Sequence, residues 1–131
     1  MALNLNTAMD AIGTALAGIT GLRVYDYPAD TIAVPAAVVA WPDEVEYDHT
    51  HARGVDRAVF KVHVLVGKVS DRTSRDALNT YTNGAGSVNT SVKATLDAMG
   101  SHVRVERVAF SVMTVAGVEY LAGTFDVDYV A

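Results

Sequence analysis

The stretch "RAVFKVHVLVGKV" at 57–69 constrains the fold most, because apolar and polar residues alternate along much of it. Apolar side chains occupy the even positions from Ala58 to Val66, whereas Lys61 and His63 occupy odd positions. A period of two places these two sets on opposite faces of a β-strand. We therefore predict a half-buried strand whose even-numbered face belongs to the core.

Four further segments are typical of β-strands. "LRVYDY" at 22–27 alternates, whereas "IAVPAAVVAW" at 32–41 is apolar almost throughout, as in a strand covered on both faces. Pro35 has no backbone N–H, so it should lie near the start of that strand or on a sheet edge. We predict two more strands at 102–113 and 118–130, joined by a short turn as an antiparallel pair.

The strand at 102–113 changes its apolar phase part-way along. Apolar residues occupy odd positions at Val103 and Val105 but even positions at Val108 and Phe110. One extra residue in a strand reverses the faces of all later side chains. We therefore predict a one-residue β-bulge near residues 106–107.

Two regions show the periodicity of helices that are buried on one face. We predict a first helix over about residues 3–18, ended by the glycines of "GITG". Between 71 and 99, "NGAG" at 83–86 separates two apolar patterns, which predicts two short helices or one kinked helix. The apolar stripes comprise Leu5, Met9, Ile12, Leu16 and Ile19 in the first region and Val88, Val92, Leu96 and Met99 in the last.

Length and composition favour one folded domain. The 131 residues suffice for a single hydrophobic core, and 50% of them are apolar while 19% are charged. Helices grouped against one mostly antiparallel sheet make an α+β fold. We predict a single domain over 1–131, with helices packed on one face of the sheet and a long charged loop between two strands.

Charge and composition argue against several functional classes. A formal net charge of −5 and scattered basic residues disfavour affinity for the nucleic-acid backbone, which needs concentrated lysine and arginine. Cysteine is absent, so no disulfide, thiolate nucleophile or cysteine-ligated metal is expected. No apolar run approaches the roughly 18 residues of a membrane span, and the N-terminus lacks the basic segment of a signal peptide. We expect a protein made in a cytoplasm, without membrane association.

The densest chemistry lies in "WPDEVEYDHTHARGVDR" at 41–57. His49 and His51 lie on the same side of an extended chain and could share a metal ion. The same geometry points Glu46 and Asp48 the other way, so the nearest carboxylates cannot complete the coordination. Because no third ligand, nucleophile or phosphate-binding loop has a recognisable spacing, we predict no metal site, no cofactor and no catalytic residue.

The length and mixed charge of this stretch favour a contact surface instead. Residues 42–56 separate two predicted strands, and loops this long are usually functional or mobile. For Trp41 we favour core packing, with a partner contact as the alternative. The candidate subunit or partner contacts are Trp41, Asp43, Glu44, Glu46, Tyr47, Asp48, His49, His51, Arg53, Asp56, Arg57, Arg72 and Arg75.

Four segments carry a resemblance to a known family: "GLRVYDYPADTIAVPAAVVAWPD", "RGVDRAVFKVHVLVGKVSDRTSRDALNTY", "SVKATLDAM" and "GVEYLAGTFDVDYV". Together they resemble tail terminator proteins of siphovirus-type, long-tailed bacteriophages, particularly those that infect actinobacteria. The resemblance implies a small α+β subunit that forms a ring, usually a hexamer, on the last ring of tail-tube protein. Such a ring halts tube growth and offers a surface to the head-side connector, and it catalyses no reaction.

The partners implied by this resemblance are further copies of the chain, the major tail tube protein and a head-side stopper or connector protein. DNA would pass through the lumen without specific binding, and the protein would reside in the tail or neck of the virion after synthesis in the bacterial host. We expect acidic residues to dominate the lumen, where mild repulsion prevents DNA from sticking. At the subunit interface, Asp43, Glu44, Glu46 and Asp48 would face Arg53, Arg57, Arg72 or Arg75 of the next subunit.

Three alternatives remain open from the sequence. The first is another head-tail neck component, such as a head-completion or stopper protein. The second is a small metal-dependent hydrolase that uses His49, His51 and nearby carboxylates. The third is a ligand-binding or regulatory α+β module, for which a deep apolar pocket would be the distinguishing feature.

Overall fold

A computed structural model describes residues 4–19, 21–25, 35–47, 55–68, 72–115 and 117–130. Within these residues, three helices accompany one sheet of six mostly antiparallel strands, which confirms the predicted α+β fold. In chain order the elements are α1 (Leu5–Leu16), β1 (Arg23–Tyr25), β2 (Ala36–Val39), β3 (Val45–Glu46), β4 (Arg57–Lys68), α2 (Arg72–Thr82), α3 (Val92–Asp97), β5 (Val103–Val115) and β6 (Val118–Val130).

The sheet has the strand order β1-β2-β4-β6-β5, with β3 also paired to β4. The β1–β2 pair is parallel and the other pairs are antiparallel. Because β3 and β6 both pair with the beginning of β4, β3 must lie on the same side of β4 as β2. β2 and β3 are therefore two pieces of one interrupted strand, and residues 40–44 bridge the interruption.

Both strands predicted before the charged stretch are present within the described residues. Of the described residues 35–41, Ala36–Val39 form a strand, and Pro35 directly precedes it, as its missing N–H requires. All four residues of β2 are buried, which confirms that both faces of this strand are covered. β1 spans three residues and forms one edge of the sheet.

The core lies between one face of the sheet and the helices. The even positions of β4, from Ala58 to Val66, are buried there as predicted, together with the apolar stripe of α1. Of the two predictions for residues 71–99, two short helices is confirmed, since α2 and α3 are separate. Val92 and Leu96 of α3 are buried in the core. Val88, predicted to share that stripe, is exposed, because α3 begins only at Val92.

Ser91 sets the start of α3. Its side chain accepts a hydrogen bond from the Ala94 backbone N–H, and the residue is fully buried. We expect Ser91→Ala to lower the free energy of unfolding by about 1 kcal/mol, because one N-terminal donor of the helix loses its acceptor. Urea denaturation of both proteins measures this difference. Ser91→Asn should recover part of it, and equal losses for both variants would contradict a capping role.

The bulge predicted in β5 is present. Val105 pairs with Val127, but Arg107 pairs with Asp126, so Glu106 is the extra residue. The bulge places Val108, Phe110 and Val112 on the helix-covered face of the sheet. Val115 then pairs with Val118 across the hairpin, so β5 extends past its predicted end at residue 113, whereas β6 begins at Val118 as predicted.

Candidate functional site

The sheet face opposite the helices, here called the open face, carries a row of ion pairs across β3, β4, β6 and β5. Arg57 Nε donates a hydrogen bond to Asp128 Oδ1 at 2.8 Å, and Arg57 Nη2 donates to Glu106 Oε1 at 3.3 Å. The Arg57 Nη1 atom also lies 3.7 Å from Glu46 Oε2. The hydrogen bond to Asp128 raises the pKa of Arg57, and the charges of Asp128, Glu106 and Glu46 add to this effect.

These contacts engage the Arg57 guanidinium group within its own chain. The expected ring interface sets Glu46 against an arginine such as Arg57 of the next subunit, but in the structure these two side chains pair within one chain. Lys61 is likewise engaged, since its Nζ donates to Asp126 Oδ1 at 2.7 Å. Asp126 and Asp128 of β6 therefore lie on the open face, where their carboxylates neutralise Lys61 and Arg57 of the neighbouring strand β4.

His63 follows this ion-pair row along β4. Its Nδ1 lies 2.9 Å from Thr124 Oγ1, and Val38 is its register partner on β2. Burial lowers the pKa of His63, and the charge of Lys61 lowers it further. Beyond His63, the open face becomes apolar, with Leu65, Val38 and Ala122 buried in a small second cluster.

The lowered pKa of His63 predicts a loss of stability in acid. Above the unfolded-state pKa of about 6.5 the imidazole is neutral in both the folded and the unfolded state. Protonation of His63 therefore does not change the free energy of unfolding in that pH range. As the pH falls below that value, the unfolded state takes up the proton more readily, and the free energy of unfolding decreases until the folded-state pKa is passed. Urea denaturation between pH 7.5 and 5 should show a smaller decrease for His63→Gln. An unchanged pH dependence would rule out His63 as its source.

The first part of the charged stretch forms a rim at the interruption between β2 and β3. Trp41 is 58% exposed and Tyr47 is 76% exposed, so the core-packing interpretation of Trp41 is wrong. Asp43 and Glu44 are also exposed, and they border an indentation of about 280 Å³ together with Glu46. The remaining lining comes from β4, mainly from its open-face residues Arg57, Val59 and Lys61.

The predicted loop at 42–56 is interrupted by secondary structure. Val45 and Glu46 pair with Ala58 and Arg57 as strand β3, which leaves a shorter connection between β3 and β4. Asp56 is buried, with 7% exposure, and has contacts within the chain. The candidate residues Asp48, His49, His51 and Arg53 lie outside the described residues.

A second surface lies across the sheet, on the helix-covered side of β5. A groove of about 400 Å³ separates α2 from the β5–β6 hairpin, and Phe110 on its floor is 60% exposed. Arg72 and Arg75 are exposed one turn apart on α2. The groove is lined by Arg75, Asp76, Leu78, Asn79, Thr82 and Phe110.

Sequence reasoning identified Arg72 and Arg75 but missed Phe110. The available signal was that the apolar even positions of β5 continue to Val112, close to the end of the strand. That signal does not distinguish burial under a helix from exposure beside it. Here α2 packs over β4 and β6, so the outer part of β5 stays uncovered.

No protein-family model matches this chain, and a comparison with curated proteins found no match. Among the described residues, no group of three or more His, Asp or Glu side chains is placed to hold a metal ion. The pair His49 and His51 lies outside that part of the chain, so the hypothesis of a shared metal is not tested there. None of the described helices is long and apolar enough to cross a membrane.

Proposed function

We propose that this chain is a structural virion protein, a tail terminator of a long-tailed bacteriophage. It assembles into a six-membered ring that caps the tail tube, stops tube polymerisation and joins the tail to the head-side connector. The proposal starts from the resemblance of four segments to tail terminators. The structural observation that supports it is the pair of unlike exposed surfaces at opposite sides of one sheet.

Unlike surfaces favour a ring because of symmetry. A two-fold dimer uses the same patch twice, whereas head-to-tail contacts between two different patches generate a ring if the rotation closes. The rim at β2 and β3 presents the carboxylates of Asp43 and Glu44, and α2 exposes Arg75 in the groove beside β5 and Arg72 next to it. Each copy thus carries one acidic and one basic contact surface, as a ring subunit needs.

The net charge of −5 agrees with passage of DNA through such a ring. An acidic lumen repels the phosphate backbone and gives no counterion release, so DNA can slide without specific binding. Gel retardation with double-stranded DNA at low salt should therefore show no complex with assembled rings. Salt-sensitive DNA binding would indicate a basic lumen and would contradict this part of the proposal.

The function can be tested with tail tubes from the phage whose genome encodes the chain. Negative-stain microscopy should show the purified protein at one end of each tube, and tubes polymerising in its presence should stop growing. Filled heads of the same phage, without tails, provide the comparison. Binding to heads but not to tubes would favour the other neck components, and binding to neither would refute the proposed function.

A further inference from the structure

Beyond its bulge, the outer edge of β5 lacks the proline, lysine or covering helix by which proteins usually protect a sheet edge. The beginning of β5 is covered by α3. There, Asp97 Oδ1 accepts a hydrogen bond from the Val105 backbone N–H at 3.1 Å. After the bulge, residues 107–115 contain no proline or lysine, and most of them are exposed. Sheet edges are normally short, charged or covered, because an open edge binds other chains. This edge is therefore suited to be covered by a partner.

The groove beside that edge combines an apolar floor with positive charge. Phe110 is exposed at the floor, and Arg75 lines the adjoining wall formed by α2. The exposed Arg72 lies one turn before Arg75 on the same helix. Asp76 also lines the groove, but Arg72 and Arg75 together leave this part of α2 with a net positive charge. An aromatic residue flanked by carboxylates is the chemistry that complements this surface.

The rim of the same chain has that chemistry. Trp41 is more than half exposed, and Asp43 and Glu44 follow it in the exposed bridge between β2 and β3. The other acidic residue of the rim, Glu46, is already close to Arg57. Asp43 and Glu44 are therefore the carboxylates of the rim that we expect to contact a partner.

We propose that the rim of one copy, formed by Trp41, Asp43 and Glu44, docks onto the groove of the next copy, where Arg75 and Phe110 line the groove and Arg72 lies beside it on α2. The rim lies on the open face near one side of the sheet, and the groove lies on the helix-covered face near the other side. Neighbouring copies therefore overlap in part. The open face of one copy covers the helix-covered face of the β5–β6 hairpin in the next copy. This inference rests on the proposed ring and names its subunit interface.

Charge reversal tests this pairing. In the double variant Arg72→Glu/Arg75→Glu both surfaces are acidic, and in Asp43→Lys/Glu44→Lys both are basic. Each variant alone should assemble roughly a hundredfold more weakly than the unchanged protein, because like charges face each other. An equimolar mixture should assemble again with the two variants alternating, and the combined fourfold variant should assemble by itself. Light scattering measures the mass of each sample, and Asp10→Lys on the outer side of α1 serves as a control that leaves assembly unchanged.

Cross-linking gives a second measurement that applies to rings on tube ends as well. The chain contains no cysteine, so Glu44→Cys/Arg75→Cys introduces the only two thiols. A short bismaleimide cross-linker should give a ladder of covalent oligomers on a denaturing gel, and a variant with one of these cysteines should give none. The matched pair Asp10→Cys/Arg75→Cys should also give no ladder.

The outcomes separate this inference from the proposed function. If the reversed variants still cap tail tubes and the cysteine pair gives no ladder, the named interface is wrong while the terminator function stands. If the unchanged protein does not bind tubes, the terminator function fails whatever the ladder shows. Recovery of assembly on mixing the two reversed variants would show that both are folded and would support the rim-to-groove contact. Failure of the mixture, with each variant folded by circular dichroism, would overturn it.

Discussion

Replacement of Gly67 by alanine is expected to lower the free energy of unfolding by about 3 kcal/mol. Gly67 lies at a register shift between β4 and β6 and has a φ of +148°, which L-amino acids rarely adopt. A methyl group there would also lie 2.3 Å from Ser74 Oγ. Because Ser74 is buried in α2, the contact can be relieved only by moving the helix or the hydroxyl. Urea or thermal denaturation measures the loss.

Gly117 provides the matched control. It has a φ of +80° in the β5–β6 turn, but a methyl group there would meet nothing within 4 Å. Gly117→Ala should therefore cost only the backbone strain, about 1 kcal/mol. In a Ser74→Ala background, Gly67→Ala should also become less costly, since the closest atom is removed. Equal losses at Gly67 and Gly117 would show that the approach of α2 to β4 is not what requires the glycine.

The second large effect is expected at Arg57. Arg57→Met keeps much of the aliphatic stem but removes the cation shared by Asp128 and Glu106, whose side chains are only 19% and 17% exposed. Two mostly buried carboxylates would then lie close together without a counter-charge. We expect a loss of about 2 kcal/mol at neutral pH, with allowance for the partial exposure of the arginine. Chemical denaturation at low ionic strength measures it, and about 1 M salt should reduce the difference.

Lys61→Met is the control for this prediction. Lys61 has a more exposed side chain, and Asp126 also lies near Arg107, so its carboxylate keeps one cation nearby. The loss should stay below about 1 kcal/mol, as for exposed ion pairs. If Arg57→Met and Lys61→Met cost the same, the row of ion pairs does not depend on the central arginine.

Much of the fold could be predicted because its signals are local. The alternation in β4, the phase shift in β5 and the helical stripe of α1 each depend on residues that are adjacent or one turn apart. The bulge at Glu106 follows from the same rule, since one extra residue reverses the faces. The helix containing Val92 was predicted too long, because the apolar Val88 fitted the period although Ser91 is the residue that begins the helix.

The candidate site was less predictable, because it depends on which elements become neighbours. The residue chemistry indicated an acidic stretch and nearby arginines, but it could not show that Arg57 would be engaged by Asp128, which is distant in sequence. It also could not show that Trp41 is exposed, since the same residue type suits a core or a surface.

Periodicity and turn chemistry were enough to assign the strands, their faces, the bulge and the class of fold, because these properties arise from backbone geometry over a few residues. The position of α2 over β4 and β6 was not contained in those patterns, since helix packing depends on shape across the whole sheet. That position leaves Phe110 exposed between Arg75 of α2 and the open edge of β5. The charges of the rim and the groove could be read along the chain, but their placement at opposite sides and on opposite faces of one sheet arises from the strand order.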